Sequence, residues 1–353
     1  MEEFKKILIT GGAGFIGGAL IRNLLINTES VILNIDKFGY ASDLSGINST
    51  NYAQTRHKHL KINLVNKNDI DQALKTFQPN LIIHLAAESH VDRSISNPLS
   101  FIDSNILGTF NLLESSRNYW ENLNLEKKNI FRFHHVSTDE VFGSLKKNDF
   151  FNEKSRYSPR SPYSASKACS DHLVRSWHHT YGLPIVITNC SNNYGPYQFP
   201  EKLIPLTILK ALNGDAIPIY GDGSNERDWL YVEDHVNAII KTLTFANIGE
   251  TYCIGGNEIK SNLEVAEYIC KILDEFVPKE TPYKNLISFV KDRPGHDQRY
   301  AIKSSKIKGE LKWEPTYNFE NGLRETINWY LKNLKWCKTV MKNSGYKGTR
   351  LGI

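Results

Sequence analysis

Residues 10–17 read TGGAGFIG, directly behind the apolar run KKILIT and at the head of the stretch GFIGGALIRNLL. The segment satisfies both G-x-G-x-x-G and G-x-x-G-x-x-G, and a glycine loop joining a strand to a helix admits few folds. Gly11 and Gly12 permit a tight turn, Gly14 lets backbone approach an anionic group, and Gly17 allows the helix to pack closely on the strand. The rhythm continues as SVILNID, HLKINLV, DIDQALKTF and NLIIHLAA. Strand, helix, strand, strand, helix, strand predicts an α/β chain with a Rossmann-type doubly wound parallel sheet.

Two further helices are predicted near 100–119 and 162–181, followed by the strands FRFHHVS and PIVITNC. From about residue 194 the texture changes, with Pro196, Pro200, Pro205, Gly214, Pro218, Gly221 and Gly223 punctuating short elements. A second, smaller domain is expected there. The strand-like DWLYV and helix-like DHVNAIIKTL predict that the chain returns to the first domain between 228 and 253, so the domains are interleaved. The expected division is 1–193 plus about 228–257 for the first domain, about 194–227 plus 258–340 for the second, and 341–353 as a C-terminal tail.

The bulk numbers exclude several classes. With 353 residues, 40% apolar and 23% charged, the chain has material for a sizeable core and no disordered tract. A net charge of +5, spread rather than run together, excludes a nucleic-acid track and suits an anionic small substrate. The cysteines, Cys169, Cys190, Cys253, Cys270 and Cys337, are odd in number and form no CxxC pair, which argues against disulfides or zinc and for a reducing cytoplasm. Glycines interrupt the uncharged stretch 7–21, which is therefore no signal peptide, and no later run reaches the ~18 apolar residues of a membrane span. His84 and His90 lack a second ligand at suitable spacing, so both are expected to be structural and no metal site is predicted.

The glycine loop gains weight from Asp36, nineteen residues beyond Gly17 at the end of the second strand. A helix N-terminus offers N–H groups to a pyrophosphate, while a carboxylate at this place takes ribose hydroxyls and repels a 2′-phosphate. The cofactor expected is NAD⁺ rather than NADP⁺, with the neighbouring Lys37 working slightly against that preference. A turn or capping role is the plainer reading of Asp36.

Of the 17 tyrosines only Tyr163 has a lysine four residues on, Lys167, in SPYSASKA. One helical turn puts both on one face. For Tyr163 to act as a base, its phenol must come from a reference of about 10 to near 7, roughly 4 kcal/mol of differential stabilisation, expected from Lys167 and a cationic nicotinamide. Upstream, VSTDEV places Asp139 and Glu140 at the end of an apolar strand, where ligands of open α/β sheets bind. Paired carboxylates there read as one acid and one base, and otherwise as a solvated turn.

The segments TGGAGFIGG, HLAAESHVDRSI, LLESSRNYW, STDEVFG, PYSASKA, NNYGPYQFPEKLIP, RDWLYVEDH, DRPGHDQRYAI and GYKGTRLG resemble, in order and from 7 to 352, the dTDP-glucose 4,6-dehydratases of the extended short-chain dehydrogenase/reductase superfamily. The resemblance implies that Tyr163, backed by Lys167, takes the proton of the sugar 4-hydroxyl as hydride leaves C4, with Thr138 bonded near O4. Glu140 then removes the C5 proton, Asp139 protonates the departing 6-hydroxyl, and hydride returns to C6. The product implied is dTDP-4-keto-6-deoxyglucose, for deoxysugar biosynthesis, with NAD⁺ held tightly and regenerated each turnover.

It further implies cofactor contacts from Gly11, Gly14, Phe15, Ile16, Gly17, Asp36, Lys37, Asn63, Leu64, Leu85, Ala86, Ala87, Ser89, Ser104, Tyr163, Lys167 and Asn193. Substrate contacts are implied for Glu88, Ser89, Thr138, Asn192, Lys202, Leu203, Arg227, Asn262, Asp292, Arg293 and His296, with Asp92 and Arg93 nearby. Family members are commonly homodimers, joined through helices corresponding to 100–119 and 164–181. The chain departs from the family pattern at Asn63, Leu64, Gly39, Ser104 and Phe142, which bears on cofactor contacts rather than on the reaction. Open alternatives are a UDP-glucose 4,6-dehydratase or another nucleotide-sugar epimerase or dehydratase, the epimerases lacking the acid pair. A non-catalytic NAD-binding regulatory protein is the alternative of another class, and it would be expected to have lost Tyr163, Lys167 or the carboxylates.

Overall fold

The computed structural model describes residues 1–348; the last five residues of the expected tail, 349–353, and the end of the motif GYKGTRLG lie outside them. The described residues form twelve strands, because several polar segments pair as well as the apolar runs. Seven form one parallel sheet: β1 (Lys6–Thr10), β2 (Val31–Asp36), β3 (His57–Lys61), β4 (Leu81–His84), β5 (Arg132–Thr138), β6 (Ile185–Cys190) and β10 (Thr251–Ile254). Their order is β10-β6-β5-β4-β1-β2-β3. Every pairing in it is parallel, Ile7 facing Ile32 on one side and Leu81 on the other. Successive strands β1 to β3 grow outward one way and β4 onward the other, so the order reverses between β1 and β4. In such sheets the crevice at that reversal, beyond the carboxyl ends of the strands, is where ligands sit.

Central strands buried on both faces read as unbroken apolar runs rather than alternating ones, as ILIT and LIIH do. One face packs under the helices Phe15–Asn27 and Val232–Phe245, the other under Lys67–Phe77, Gly108–Glu121 and Pro162–Tyr181. The connection from β2 to β3 runs through two single-turn helices, Ser45–Asn48 and Ala53–Arg56, which the sequence pattern did not disclose.

The helix expected near 100–119 is one continuous run from Pro98 to Glu121, but Ile102–Leu107 is wound as a π-helix. Such turns usually mark places where a side chain must be re-aimed, and here Asn105 becomes buried. The helix Pro162–Tyr181 begins with Pro162 in its first turn and a reciprocal Ser161/Ser164 capping box, and ends on Gly182 at φ +74°.

The remaining strands form two smaller sheets. β7 (Asn192–Tyr194), β9 (Glu226–Tyr231) and β11 (Ile259–Ser261) form one small sheet, and β8 (Ile217–Tyr220) pairs with β12 (Ile287–Val290). The helices Leu203–Asn213, Asn262–Phe276, Phe319–Lys332 and Leu334–Ser344 share an apolar core with them. Here the structure differs from the expected crossing. DWLYV pairs with β7 and β11, not with the large sheet, so the chain returns only at the helix Val232–Phe245 and at β10. The helix Ser305–Leu311 also leaves the second domain, its Ile307 and Leu311 packing in a cluster with Tyr252 and Ile254 of β10.

Candidate active site

Above the β1/β4 reversal lies a cleft of about 340 Å³. Thr10 at the end of β1 ties the two strands together: its hydroxyl lies 2.7 Å from His84 Nδ1 and accepts from Ala86 N–H at 3.1 Å. This brings the β4 loop so close that a Cβ on Gly11, which sits at φ +73°, would lie 2.6 Å from Ala86 N. His84 also meets Thr109 at 2.8 Å and is buried, consistent with a structural histidine. The helix Phe15–Asn27 opens at Gly14 with no side-chain cap and no acid in its first turn. Its leading N–H groups are left to face the cleft, which is what a pyrophosphate requires.

Every residue expected to contact the cofactor lines this one cleft, from Gly11, Gly14, Phe15, Ile16 and Gly17 through Asp36, Lys37, Asn63 and Leu64 to Leu85, Ala86, Ala87, Ser89, Ser104, Tyr163, Lys167 and Asn193. The buried Asp36 accepts from Ala13 N–H (3.1 Å), Phe38 N–H (2.7 Å) and the Ser42 hydroxyl (3.3 Å). Burial raises its carboxyl above the usual range, and these bonds oppose the rise. Lys37 does not stand free: its ammonium meets Glu88 Oε1 at 2.5 Å and Ser104 Oγ at 2.8 Å. The loop after β2 is also held from the far end of the chain, where the Trp336 indole donates to Asp43 Oδ2 at 3.0 Å while Asp43 N–H donates to Ala13 O at 2.8 Å.

The acid pair follows at the end of β5. Thr138 caps the short 3₁₀ turn Asp139–Phe142, which swings both carboxyls off the strand toward the same cleft. Asp139 is 1% exposed, and its Oδ2 has no hydrogen-bond partner. Burial, then the charges of Glu140 and Asp228, raise its carboxyl well above the ordinary value. Glu140 is also raised by burial, but Arg293, Arg227 and Lys202 pull it back down. Both carboxyls are thus raised, but Asp139 much further than Glu140, so Glu140 is the one that ionises more readily.

Tyr163 and Lys167 lie on the helix Pro162–Tyr181, both buried. Lys167 Nζ donates to Val136 O at 3.0 Å. Burial lowers the Lys167 ammonium. The expected lowering of the Tyr163 phenol is not supplied by the protein's own charges. Burial first, then Glu140, hold it well above its ordinary value, with only the Thr138 hydrogen bond opposing them. Behind this layer Asp171 accepts from Tyr157 (2.7 Å) and Asn189 (3.0 Å) and meets His135 at 3.1 Å; against burial, His135, Lys167 and Tyr157 hold its carboxyl at about 2. Asn189 also donates to Thr138 O at 3.1 Å, so the acid strand and the base helix are one hydrogen-bonded unit.

Of the residues expected at the substrate, Glu88, Ser89, Thr138, Asn192 and Lys202 line the cleft. Lys202 donates to Ser89 O at 3.1 Å. The others gather on the second domain beside it. Arg293 pairs with Asp92 at 2.5 Å, Tyr220 donates to the other Asp92 oxygen at 3.1 Å, and His296, 2.7 Å from Asp292, sets its ring against Tyr220. Arg227 donates to Asp297 O at 3.0 Å with its guanidinium over the Tyr300 ring, Asn262 opens the helix Asn262–Phe276, and Leu203 opens Leu203–Asn213. The sequence did not single out Glu201, Cys190, Ser191 or Gln198, which also line the cleft. Glu201 accepts from Tyr40 at 2.5 Å and Arg93 at 3.2 Å, joining three distant segments, a relation no local pattern encodes. Phe142 sits among Phe151 and Tyr157 in an apolar cluster, which accounts for a ring without a hydroxyl there.

The chain matches the family described as GDP-mannose 4,6 dehydratase over residues 8–326. The dTDP-glucose 4,6-dehydratase of Salmonella typhimurium is 52% identical over 351 residues, 97% of each chain. Among solved structures, a dTDP-glucose 4,6-dehydratase from Bacillus anthracis in complex with NAD is 42% identical with a TM-score of 0.84, covering 95% of this chain and 99% of its own. One from Streptomyces venezuelae with NAD and dTDP bound is 37% identical with a TM-score of 0.86 and the same coverage.

Proposed function

Because this chain belongs to the dTDP-glucose 4,6-dehydratase family, we propose a division of that reaction among five of its own side chains. The enzyme is an NAD-dependent hydro-lyase that converts dTDP-glucose to the 4-keto-6-deoxy sugar nucleotide. NAD⁺ held in this cleft would supply the reversible hydride acceptor that the reaction needs. The uncapped helix start, the Gly11 turn and the carboxylate of Asp36 suit pyrophosphate and ribose respectively.

The observation that carries the reading is the divided acid pair. Tyr163 Oη takes the 4-hydroxyl proton, Thr138 Oγ1 holds O4, and Lys167, fixed on Val136 O, supplies the positive charge behind them. A ketone at C4 acidifies C5–H, and Glu140, the less strongly raised of the two carboxyls and the one faced by three cations, removes that proton. Asp139, kept neutral by burial and two like charges, donates its proton to O6 as water leaves. An epimerase needs neither step. Arg227, Arg293 and Lys202 surround Glu140 with positive charge and suit the diphosphate of the substrate.

Large apolar side chains stand exposed along the run 98–121, Leu99 at 63% and Ile102 at 48%, with Tyr181 at 42% on the neighbouring helix. This favours a homodimer through those helices, and Ile102→Glu should leave a monomer by light scattering. All five cysteines are free, which suits a cytoplasmic setting, and no described helix is long and apolar enough to cross a membrane. We place the domain division at 1–191 with 232–257 and 305–311 on the cofactor side. The test of function is incubation of purified protein with dTDP-glucose, without added NAD⁺, and with UDP-glucose in parallel. Loss of water, read by mass, is expected from dTDP-glucose; loss from UDP-glucose alone would move the base assignment, and no loss even with NAD⁺ supplied would overturn the reading.

A further inference from the structure

The contact between Lys37 and Glu88 carries an inference about how the cleft chooses its cofactor, and it rests on the reading that this cleft holds NAD. Lys37 immediately follows Asp36 at the end of β2 and lines the same cleft. A cation beside the ribose-binding carboxylate is the usual means of accommodating a 2′-phosphate. Taken alone, Lys37 therefore favours the wrong dinucleotide. Its ammonium, however, lies 2.5 Å from Glu88 Oε1 and 2.8 Å from Ser104 Oγ. The side chains are 37% and 18% exposed, so the pair sits in the wall of the cleft rather than in bulk solvent.

Glu88 is also held independently of its carboxylate. Its N–H donates to Asn105 Oδ1 at 2.8 Å and its carbonyl accepts from Asn105 Nδ2 at 3.0 Å. Asn105, buried by the π-helical turn, donates in addition to Ser166 Oγ at 2.8 Å. The backbone at residue 88 is thus fixed to the helix that carries Tyr163, and the carboxylate is presented to Lys37 from a rigid base. Asp36, Lys37 and Glu88 together leave one negative charge at this end of the cleft; without the Glu88 charge the balance falls to zero.

We propose that Glu88 is a cofactor-specificity residue, which by engaging Lys37 denies that ammonium to a 2′-phosphate and keeps the cleft selective for NAD over NADP. Its role in this chain is toward the cofactor rather than the sugar nucleotide.

The test equilibrates full-length protein, stripped of nucleotide, with equal concentrations of NAD⁺ and NADP⁺ and quantifies the two bound pools by mass. Glu88→Gln keeps the shape and the Asn105 bonds while removing the charge, and is expected to lower the NAD to NADP ratio about tenfold, ~1.4 kcal/mol. Lys37→Met combined with Glu88→Gln should restore most of the ratio, because the freed cation is then gone. A ratio unchanged within about twofold in Glu88→Gln, or an equal loss of both nucleotides, would overturn the proposal. Wild-type protein that binds neither nucleotide would instead refute the cofactor reading of the cleft, so the two failures are distinguishable.

Discussion

Replacing Asp139 by Asn should separate the two proton transfers of the elimination. The substitution keeps shape and volume but removes the proton that leaves with O6. Asp139 is 1% exposed and its Oδ2 touches no other polar group, so bulk water has little access to deputise for it. A positioned general acid contributes about 10²–10⁴ in rate, and the enclosed setting argues for roughly the middle, ~10³ or about 4 kcal/mol. Stability should move the other way. The folded-state carboxyl is raised, so the folded protein binds a proton that the unfolded chain has lost above about pH 4, and stability falls as pH rises through that region. An amide has no such cost, and Asp139→Asn should melt at a higher temperature than wild type at neutral pH. The assay is run in D₂O: water loss is followed by mass of the product, and deuterium at C5 by mass of recovered dTDP-glucose. Dehydration is expected to collapse while C5 exchange persists, because Glu140 is intact. Dehydration within about tenfold of wild type, or a lowered melting temperature, would refute the argument.

Acid should unfold the protein early. His134, His135 and His235 are fully buried, and burial holds them at about 3, 4 and 3, against about 6.5 in an unfolded chain. Between those values the unfolded state binds protons that the folded state refuses, so stability falls as pH drops, by roughly 2 kcal/mol for each histidine at about pH 5. Melting temperatures that stay flat from neutrality to that pH would contradict this. Gly11→Ala puts a Cβ 2.6 Å from Ala86 N at a φ of +73°, so either the turn or the β4 loop must shift. It should lower the nucleotide content of the purified protein severalfold, read by absorbance after acid extraction, with only a small change in far-ultraviolet circular dichroism.

The cofactor half of the site was legible because its information is local. A glycine loop, an acid at a fixed interval and a strand end each announce themselves within a few residues, and the parallel sheet collects strand ends on one side whatever the loops do. The acid pair was legible for the same reason, Asp139 and Glu140 being neighbours in sequence. What escaped was long-range. Glu201 meets Tyr40 across 161 positions, and DWLYV looks like any interior strand, with nothing in its composition to say which of two sheets it joins. The π-helical turn escaped too, since bonding to the fifth residue instead of the fourth over one short stretch barely alters the apolar spacing. A Tyr-x-x-x-Lys spacing likewise reveals nothing of the burial and the Glu140 charge that raise the Tyr163 phenol.

The hydrogen bond from Trp336 to Asp43 has a consequence for how the protein is made. The loop after β2 is synthesised 293 residues before the tryptophan that steadies it. Similarly, β10, an edge of the large sheet, is synthesised after β7, β8 and β9 of the smaller sheets have emerged. The glycine turn is thus made well before the tryptophan that steadies the neighbouring loop.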